Sequence, residues 1–442
     1  MKIQKIGVKM QRRRRSIPTK KIQLNISVWE RWWQNFSLTR LIRNIIIAIF
    51  SAQVLTAGIL LTISAIRDRK KHLHKFPTIE LKEVQVGANR LQLYSNGKDL
   101  YNAMLEAIDQ AEKSIYIESY IWKDDQAGWD FKTHLARKAA EGVEVYVIFD
   151  MIGNLVVPRQ FKKSFDPAIH LIEYQALGSY QHVIDPRHYA LDHRKLLIVD
   201  GKTGFIGGYN IGSLYADSWR DTHLRIQGPA TTELAHSFVD FWNRFGPRHH
   251  PIQHRYQRRF DPLINLHGND ALRLTFPIRD MYIEAINRAE HSIYLSNAYF
   301  VPDGSLLDSL KAAAQRGVDV RILVPWKSNH VVADWISHSY FSECLDAGIH
   351  ILGYRHTMLH AKTCTIDGQW STVGTANLDR LSSIGNYEIN LEIYSSDFAQ
   401  QMERLFACDT EDVIELRAED WHHRPWYTKL SEHILAPLRF MM

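Results

Sequence analysis

Residues 193–210 read HRKLLIVDGKTGFIGGYN, and residues 360–377 read HAKTCTIDGQWSTVGTAN. Each stretch opens His-x-Lys, places an Asp five residues after the Lys, and ends on an Asn seventeen after the His. A carboxylate follows eleven residues past each Asn, Asp221 in the first copy and Glu388 in the second. Between Lys and Asp lie LLIV and TCTI, short β-rich runs that close on Asp-Gly. That pattern is a buried strand ending in a tight turn. Residues i and i+2 of extended backbone face the same side. His193 and Lys195 therefore point together, as do His360 and Lys362. The Gly-rich runs before Asn210 and Asn377 let backbone approach closely. Two half-sites of His, Lys and Asn follow, facing across a pseudo-twofold.

The duplication extends upstream. Residues 103–117, AMLEAIDQAEKSIYI, parallel residues 281–295, MYIEAINRAEHSIYL. Residues 131–150, FKTHLARKAAEGVEVYVIFD, parallel residues 306–325, LLDSLKAAAQRGVDVRILVP. In every case helical periodicity gives way to a β-rich run, and Gly142 and Gly317 stand where a helix stops. Strands are predicted at 114–120, 143–149, 195–200 and 203–207, with partners at 292–299, 318–324, 361–367 and 370–374. The fold class is therefore α/β, a duplicated domain with a mixed sheet flanked by helices in each copy. The expected organisation is a basic tail over 1–43, an apolar span over 44–66, a juxtamembrane linker over 67–89, a first domain over 90–246, a linker over 247–271 and a second domain over 272–442.

A single His-x-Lys recurs often and carries no chemistry by itself. Two complete copies in strand–turn context point to a phosphodiester site. Lysines attract a phosphoryl group and stabilise its developing charge, and the Asn amides donate to non-bridging oxygens. One imidazole can attack phosphorus near neutral pH while the other protonates the leaving oxygen. Asp221 and Glu388 are candidates to hold the imidazoles in the reactive tautomer. Asp200 and Asp367, at strand-end turns, are read as structural acids. Nothing in the pattern asks for a cofactor or a metal: His249, His250 and His254 have no accompanying acid or cysteine cluster. Cys344, Cys364 and Cys408 form neither a disulfide framework nor a CxxC pair.

The chain has 442 residues, 45% hydrophobic and 23% charged, which excludes wholesale disorder. Its net charge of +6 is uneven: residues 1–43 carry twelve Lys/Arg against Glu30, for +11, which leaves −5 on the remaining 399. A general nucleic-acid binder needs a basic folded face, so nucleic acid is an unlikely partner. Residues 44–66 are 23 consecutive residues without a charge, bracketed by Arg43 and Arg67. Their length predicts one N-terminal transmembrane helix, with Trp29, Trp32 and Trp33 before it either at headgroup level or packed on the body. A cleaved signal peptide is a poorer reading, because the basic region before the span is longer than a whole signal. The Lys/Arg excess close to the C-side favours a cytoplasmic body, although the whole-tail count pulls the other way. The expected location is thus the cell membrane, single-pass. The flanking basic residues suit anionic phospholipids.

With these motifs in hand, the body resembles the phospholipase D superfamily, whose paired HxKxxxxD motifs it carries. The likeness covers residues 90–442 and is greatest to bacterial cardiolipin synthases. ESYIW at 118–122, GGYNIG at 207–212, WRDTHLRIQGP at 219–229, NAYFVPDGSL at 297–306 and GTANLDRLSSIGNYEINLEIY at 374–394 sit where that group has similar segments. The resemblance implies two phospholipase D-like domains and phosphatidyl transfer to make cardiolipin through a phosphohistidine. It also implies His193 as nucleophile, His360 as general acid, anionic phospholipid substrates and a membrane partner. A membrane-anchored phospholipase D hydrolase and a membrane-tethered phosphodiesterase or nuclease are the alternatives. The chain departs from many relatives at Asn297-Ala298, where they have Thr-Pro, and in having one apolar span rather than two.

Overall fold

The computed structural model describes residues 76–175, 190–247 and 250–435, with positions 42–44, 47–48, 51, 55 and 58. Each half of the body is an eight-stranded mixed sheet. Across the first sheet the order is Val84–Val86, Asn89–Tyr94, His223–Gln227, Thr203–Gly207, Leu196–Val199, Ser114–Ser119, Glu144–Asp150, His170–Tyr174. Across the second it is Ile264–Gly268, Ile389–Tyr394, Trp370–Gly374, Lys362–Ile366, Ser292–Asn297, Asp319–Pro325, His350–Tyr354, Val413–Glu415. The strand after each His-x-Lys is central. Leu196–Val199 runs antiparallel to both neighbours, with Ile115 opposite Val199 and Leu196 opposite Ile206. Lys362–Ile366 repeats this, with Ile293 opposite Ile366 and Thr363 opposite Val373. Parallel pairs then extend each sheet through the strand–helix–strand crossovers read in the sequence. Residues 264–268, within the stretch read as a connection, form an edge strand of the second sheet.

Local chemistry sets the helices. Gly97–Asp109 buries Leu100, Tyr101, Met104 and Ile108, one stripe at helical spacing, and Asn96 caps it by accepting from the Lys98 N–H at 2.9 Å. Asp125 caps Gln126–Ala140 and Asp303 caps Gly304–Gln315 in the same way. Both of the latter helices turn into the next strand through a left-handed glycine, Gly142 at φ +89° and Gly317 at φ +91°.

Outer helices cover one face of each sheet, over Phe131, Leu135 and Val147 in one lobe and Leu310, Ile322 and Ile336 in the other. The opposite faces share one core. Helix Thr231–Phe245 contributes Leu234, Phe238 and Trp242, and helix Ser396–Asp409 contributes Phe398, Met402 and Leu405; Leu224, Ile226, Ile389 and Leu391 fill it from the strands. A fully buried side chain of this size stabilises by about 1.5–3 kcal/mol. A core shared by both lobes holds the two motif strands in fixed relation.

The expected transmembrane helix over 44–66, and the single-pass membrane location drawn from it, are corrected. Among the described residues no helix is long and apolar enough to cross a membrane. Most of 44–66 lies outside the described residues. Those within it, such as Asn44, Ile47, Ser51 and Leu55, are helical and exposed.

Candidate active site

The motif segments meet where the lobes meet. The His193 N–H donates to the Tyr387 carbonyl at 3.0 Å and the Tyr387 N–H to that of Leu191 at 2.9 Å, with Asp192 and Tyr387 bridged in parallel. The pseudo-equivalent contact joins Met358–Leu359 in parallel to Trp219–Arg220, and the His360 N–H donates to the Arg220 carbonyl at 2.7 Å. Each histidine thus rides on a segment zipped to the one that carries the other copy's carboxylate.

The side chains cross accordingly. His193 Nδ1 lies 2.9 and 3.1 Å from the two oxygens of Glu388. His360 Nδ1 lies 2.6 Å from Asp221 Oδ2. An Nδ1–H on each ring satisfies both contacts and turns Nε2 toward the substrate, with a lone pair there when the ring is neutral and a proton when it is charged. Thr375 Oγ1 donates to Glu388 Oε2 at 2.5 Å and accepts from the Ile389 N–H at 2.9 Å. In the first copy, the Thr222 N–H donates to Asp221 Oδ1 at 2.7 Å. Gly208 stands where the second copy has Thr375, and a Cβ there would come within 2.1 Å of Asp221 Oδ1. The shorter carboxylate of the first copy thus demands a glycine.

Both lysines fold back on their own motifs: Lys195 Nζ donates to the His193 carbonyl at 2.7 Å and Lys362 Nζ to that of His360 at 2.5 Å. Burial brings Lys195 down to about 7 and Lys362 down to about 8. Burial, reinforced by the two lysines, holds both imidazoles well below their ordinary value. Burial likewise pushes Asp221 up to about 6 and Glu388 up to about 8. A few protons are therefore shared among six ionisable groups in one water-poor site.

Asn210 and Asn377 are buried beside them. Asn210 Oδ1 accepts from the Ile121 N–H at 3.2 Å. Asn377 Oδ1 has no partner among the described residues. Three aromatic rings absent from the motif reading line the site. Tyr120 lies 4.8 Å from the His193 ring, and Trp219 and Tyr299 lie 5.0 and 6.4 Å from that of His360. Tyr120, Trp219 and Tyr299 fall in the segments ESYIW, WRDTHLRIQGP and NAYFVPDGSL, but single aromatic residues there have no spacing rule to set them apart.

Asp200 and Asp367 point away from the histidines. Asp200 accepts three backbone N–H groups, from Glu112, Lys113 and Ser114, at 2.8–2.9 Å. Asp367 accepts three, from Glu290, His291 and Ser292, at 2.8 Å. Both sit at φ +53°, a left-handed turn position that Asp tolerates better than most residues. Each carboxylate clips the turn after a motif strand to the start of the neighbouring strand. We expect Asp200→Ala to lower stability by about 2–4 kcal/mol, through three lost charge-assisted bonds. Asp200→Asn should cost less. Chemical denaturation of both variants checks this, and equal losses would refute the clip.

Two phospholipase D-like lobes, each giving one His–Lys–Asn set to a shared site, define a two-lobed enzyme of the phospholipase D superfamily. The family model described as "Cardiolipin synthase, PLD-like domain" matches residues 104–242 and again 282–410, one match per lobe. The chain is 33% identical over 367 residues to a cardiolipin synthase of Listeria monocytogenes serotype 4b (strain CLIP80459), which covers 79% of this chain and 75% of that protein. It is 32% identical over 367 residues, at the same coverage, to the major cardiolipin synthase ClsA of Bacillus subtilis (strain 168). The fold is similar to that of a phosphatidylserine synthase from Haemophilus influenzae Rd KW20, at TM-score 0.61 and 14% identity, covering 82% of this chain and 95% of that one. The chain belongs to the cardiolipin synthase family of the phospholipase D superfamily, and is an enzyme of the phosphatidyltransferase type.

Proposed function

We propose that the protein joins two phosphatidylglycerol molecules into cardiolipin with release of glycerol, through a phosphohistidine. The observation that carries this reading is the crossed pairing of two histidines with two carboxylates in one buried site that also holds two lysines. His193 Nε2 attacks phosphorus, and the bond to the glycerol oxygen breaks as His360 gives that oxygen its proton. His360 then takes the proton of a hydroxyl on the second phosphatidylglycerol. That oxygen displaces His193 from phosphorus, and the resting protonation states return. Lys195, Lys362 and the amides of Asn210 and Asn377 hold the non-bridging oxygens throughout. Asp221 and Glu388 orient the rings, and Asp200 and Asp367 brace the motif strands. The substrates are anionic phospholipids presented at a membrane surface. The names of the relatives support a lipid acceptor over water, and the net charge of −5 outside the tail argues against a basic face of the kind that binds nucleic acid.

Purified full-length protein incubated with vesicles of headgroup-labelled and phosphorus-labelled phosphatidylglycerol should yield labelled cardiolipin and free glycerol. Phosphatidic acid as the main product would replace the transferase reading with a hydrolase. Chelators should change the rate less than about twofold, because lysines and asparagines occupy the phosphoryl site where two-metal chemistry uses carboxylates. A strict magnesium or zinc requirement of the chemical step would overturn the mechanism.

A further inference from the structure

Strand direction divides each sheet into a catalytic end and a far end. Ser114–Ser119 and Glu144–Asp150 run toward the histidines: Tyr120 lies 4.8 Å from the His193 ring, and Asp150 accepts from the Asp192 N–H at 3.0 Å. Thr203–Gly207 and Trp370–Gly374 also end there, leading to Asn210 and Asn377. The turns at Asp200 and Asp367 mark the far end.

The catalytic end holds large apolar side chains out in water. Leu155 is 64% exposed and Val156 83%, in the turn after Glu144–Asp150. Asn154 fixes that turn to the site, donating to the Tyr120 carbonyl at 2.9 Å and accepting from the Trp122 N–H at 2.8 Å. Leu214 and Leu381 hold the same place in the two copies, four residues after Asn210 and Asn377, on the short helices Ser213–Ser218 and Arg380–Ile384. Both are exposed, as is Ile384. The inner sides of these helices rest on the site. Tyr215 packs on Trp219 at 4.8 Å, and Trp219 lies against His360. The Ser382 carbonyl accepts from Asn269 Nδ2 at 2.8 Å, and the Asn269 N–H donates to the Glu388 carbonyl at 2.9 Å. Leu274, in the turn after Asn269, is 63% exposed at φ +54°, a left-handed conformation that a bulky side chain adopts only at a cost. With Phe276, Arg380 and Ile384 it lines an open groove of about 400 Å³.

We propose that the protein sits on an anionic phospholipid bilayer through this catalytic end, with Leu155, Val156, Leu214, Leu274, Leu381 and Ile384 entering the headgroup layer. The inference rests on the lipid reading of the site and deepens it, by saying which face meets the membrane. Apolar side chains gathered around one cleft from four separate segments mark an interaction surface. Leu214 and Leu381 are related by the pseudo-twofold that also relates the histidines, so a flat partner approaching along that axis touches both at once. Charge agrees with an anionic surface. Arg159 and Lys163 are exposed just after Val156, and Arg380 is exposed beside Leu381. The nearby acids Asp217 and Asp280 are paired, with Lys98 at 3.0 Å and Arg279 at 3.3 Å. Apolar side chains flanked by cations are what an interfacial contact uses.

The rival surface is at the far end, where Phe260 is 80% exposed after Arg258 and Arg259. Tyr256 fixes that segment there, filling the space beside Gly201, where a Cβ would come within 2.6 Å of its ring. Docking through Phe260 would turn the histidines away from the lipid.

The test uses the full-length chain. Cys344, Cys364 and Cys408 are buried, so an environment-sensitive fluorophore goes to a single introduced cysteine in Val156→Cys, Leu214→Cys, Leu381→Cys or Phe260→Cys. On vesicles of phosphatidylglycerol and phosphatidylcholine the first three labels should shift to the blue and be quenched at least about twofold by lipids brominated near the headgroup. The label at position 260 should keep its aqueous emission. The combined variant Val156→Glu, Leu214→Glu, Leu381→Glu should lower cardiolipin formation on vesicles more than about tenfold, because its charges must enter an anionic interface. Its turnover of monomeric short-chain phosphatidylglycerol should stay within about twofold, since exposed side chains away from the reacting groups contribute little to fold or chemistry. If that variant does not fold, the single labelled proteins decide. Aqueous emission at all three catalytic-end positions while the vesicles are converted to cardiolipin overturns the docking face and leaves the proposed function standing. Lipid entry at position 260 in their place does the same. A blue shift present before vesicles are added, and growing with protein concentration, assigns the surface to a second copy and overturns the proposal. No cardiolipin from the parent on either form of substrate overturns the lipid reading of the site, and the labels still decide whether this end meets a bilayer.

Discussion

Alanine at His193 is expected to abolish cardiolipin formation by roughly 10⁴-fold or more and to remove the covalent adduct, since no other group can take the nucleophile's place. Alanine at His360 should behave differently. With glycerol as leaving group the loss is roughly 10²–10⁴-fold, the usual worth of general acid catalysis. With nitrophenolate, which departs without a proton, the loss should fall to within about tenfold. Label should then accumulate on His193, because no base activates the second alcohol. Rates with both leaving groups and peptide mapping of the label decide the matter. Label on His360 in the His193→Ala protein, with none in the reverse case, would exchange the roles. Full activity of both variants would sink the covalent mechanism.

Crossed phenotypes are the second large effect. Glu388 lies in the second copy but bonds the histidine of the first, and Asp221 does the reverse. Glu388→Gln should therefore reproduce the nucleophile defect, with poor adduct formation whatever the leaving group. Asp221→Asn should reproduce the acid defect, severe for glycerol and mild for nitrophenolate. Losing the group that fixes a catalytic tautomer costs as much as roughly 10⁴-fold in the best-measured triad. The pH profile separates the two further. Each carboxylate favours the charged form of its ring, so its removal lowers the effective pKa of that ring. For the ring that must be neutral, the acid limb moves to lower pH; for the ring that must be charged, the alkaline limb does. Glu388→Gln should shift the acid limb and Asp221→Asn the alkaline one, within a coupled pair. If Asp221→Asn moves only the acid limb, the pairing in solution is not the crossed one.

These expectations separate what lay in the chain's pattern from what did not. The eight predicted strands appear within two residues of their expected bounds, because each is a local β-rich run punctuated by glycine, Asp-Gly or a capping residue. The register of the half-site residues came from local pattern too: the spacing of seventeen spans one strand–turn–strand hairpin, and that of eleven spans the short helix after it. The edge strands Val84–Val86, Ile264–Gly268 and Val413–Glu415 were not, because short edges take their structure from a neighbour more than from their own residues. The apolar run 44–66 drew a membrane helix from composition alone, while the described residues hold no helix of spanning length.

Sequence by itself determined that this protein is a duplicated α/β body with two His–Lys–Asn sets and two carboxylates in register. Only the tertiary structure decided which carboxylate serves which histidine. That choice depends on the lobe interface, where Asp192 meets Tyr387 and Leu359 meets Arg220 across separations of 195 and 139 residues. It also paired Arg194 with Glu118 and Asp192 beside the first motif, and Arg220 with Asp409 beside the second. Spacing along the chain reports on residues that share a strand or a helix face. Charge balance inside a core depends on which strands the fold lays side by side, and no local period encodes that.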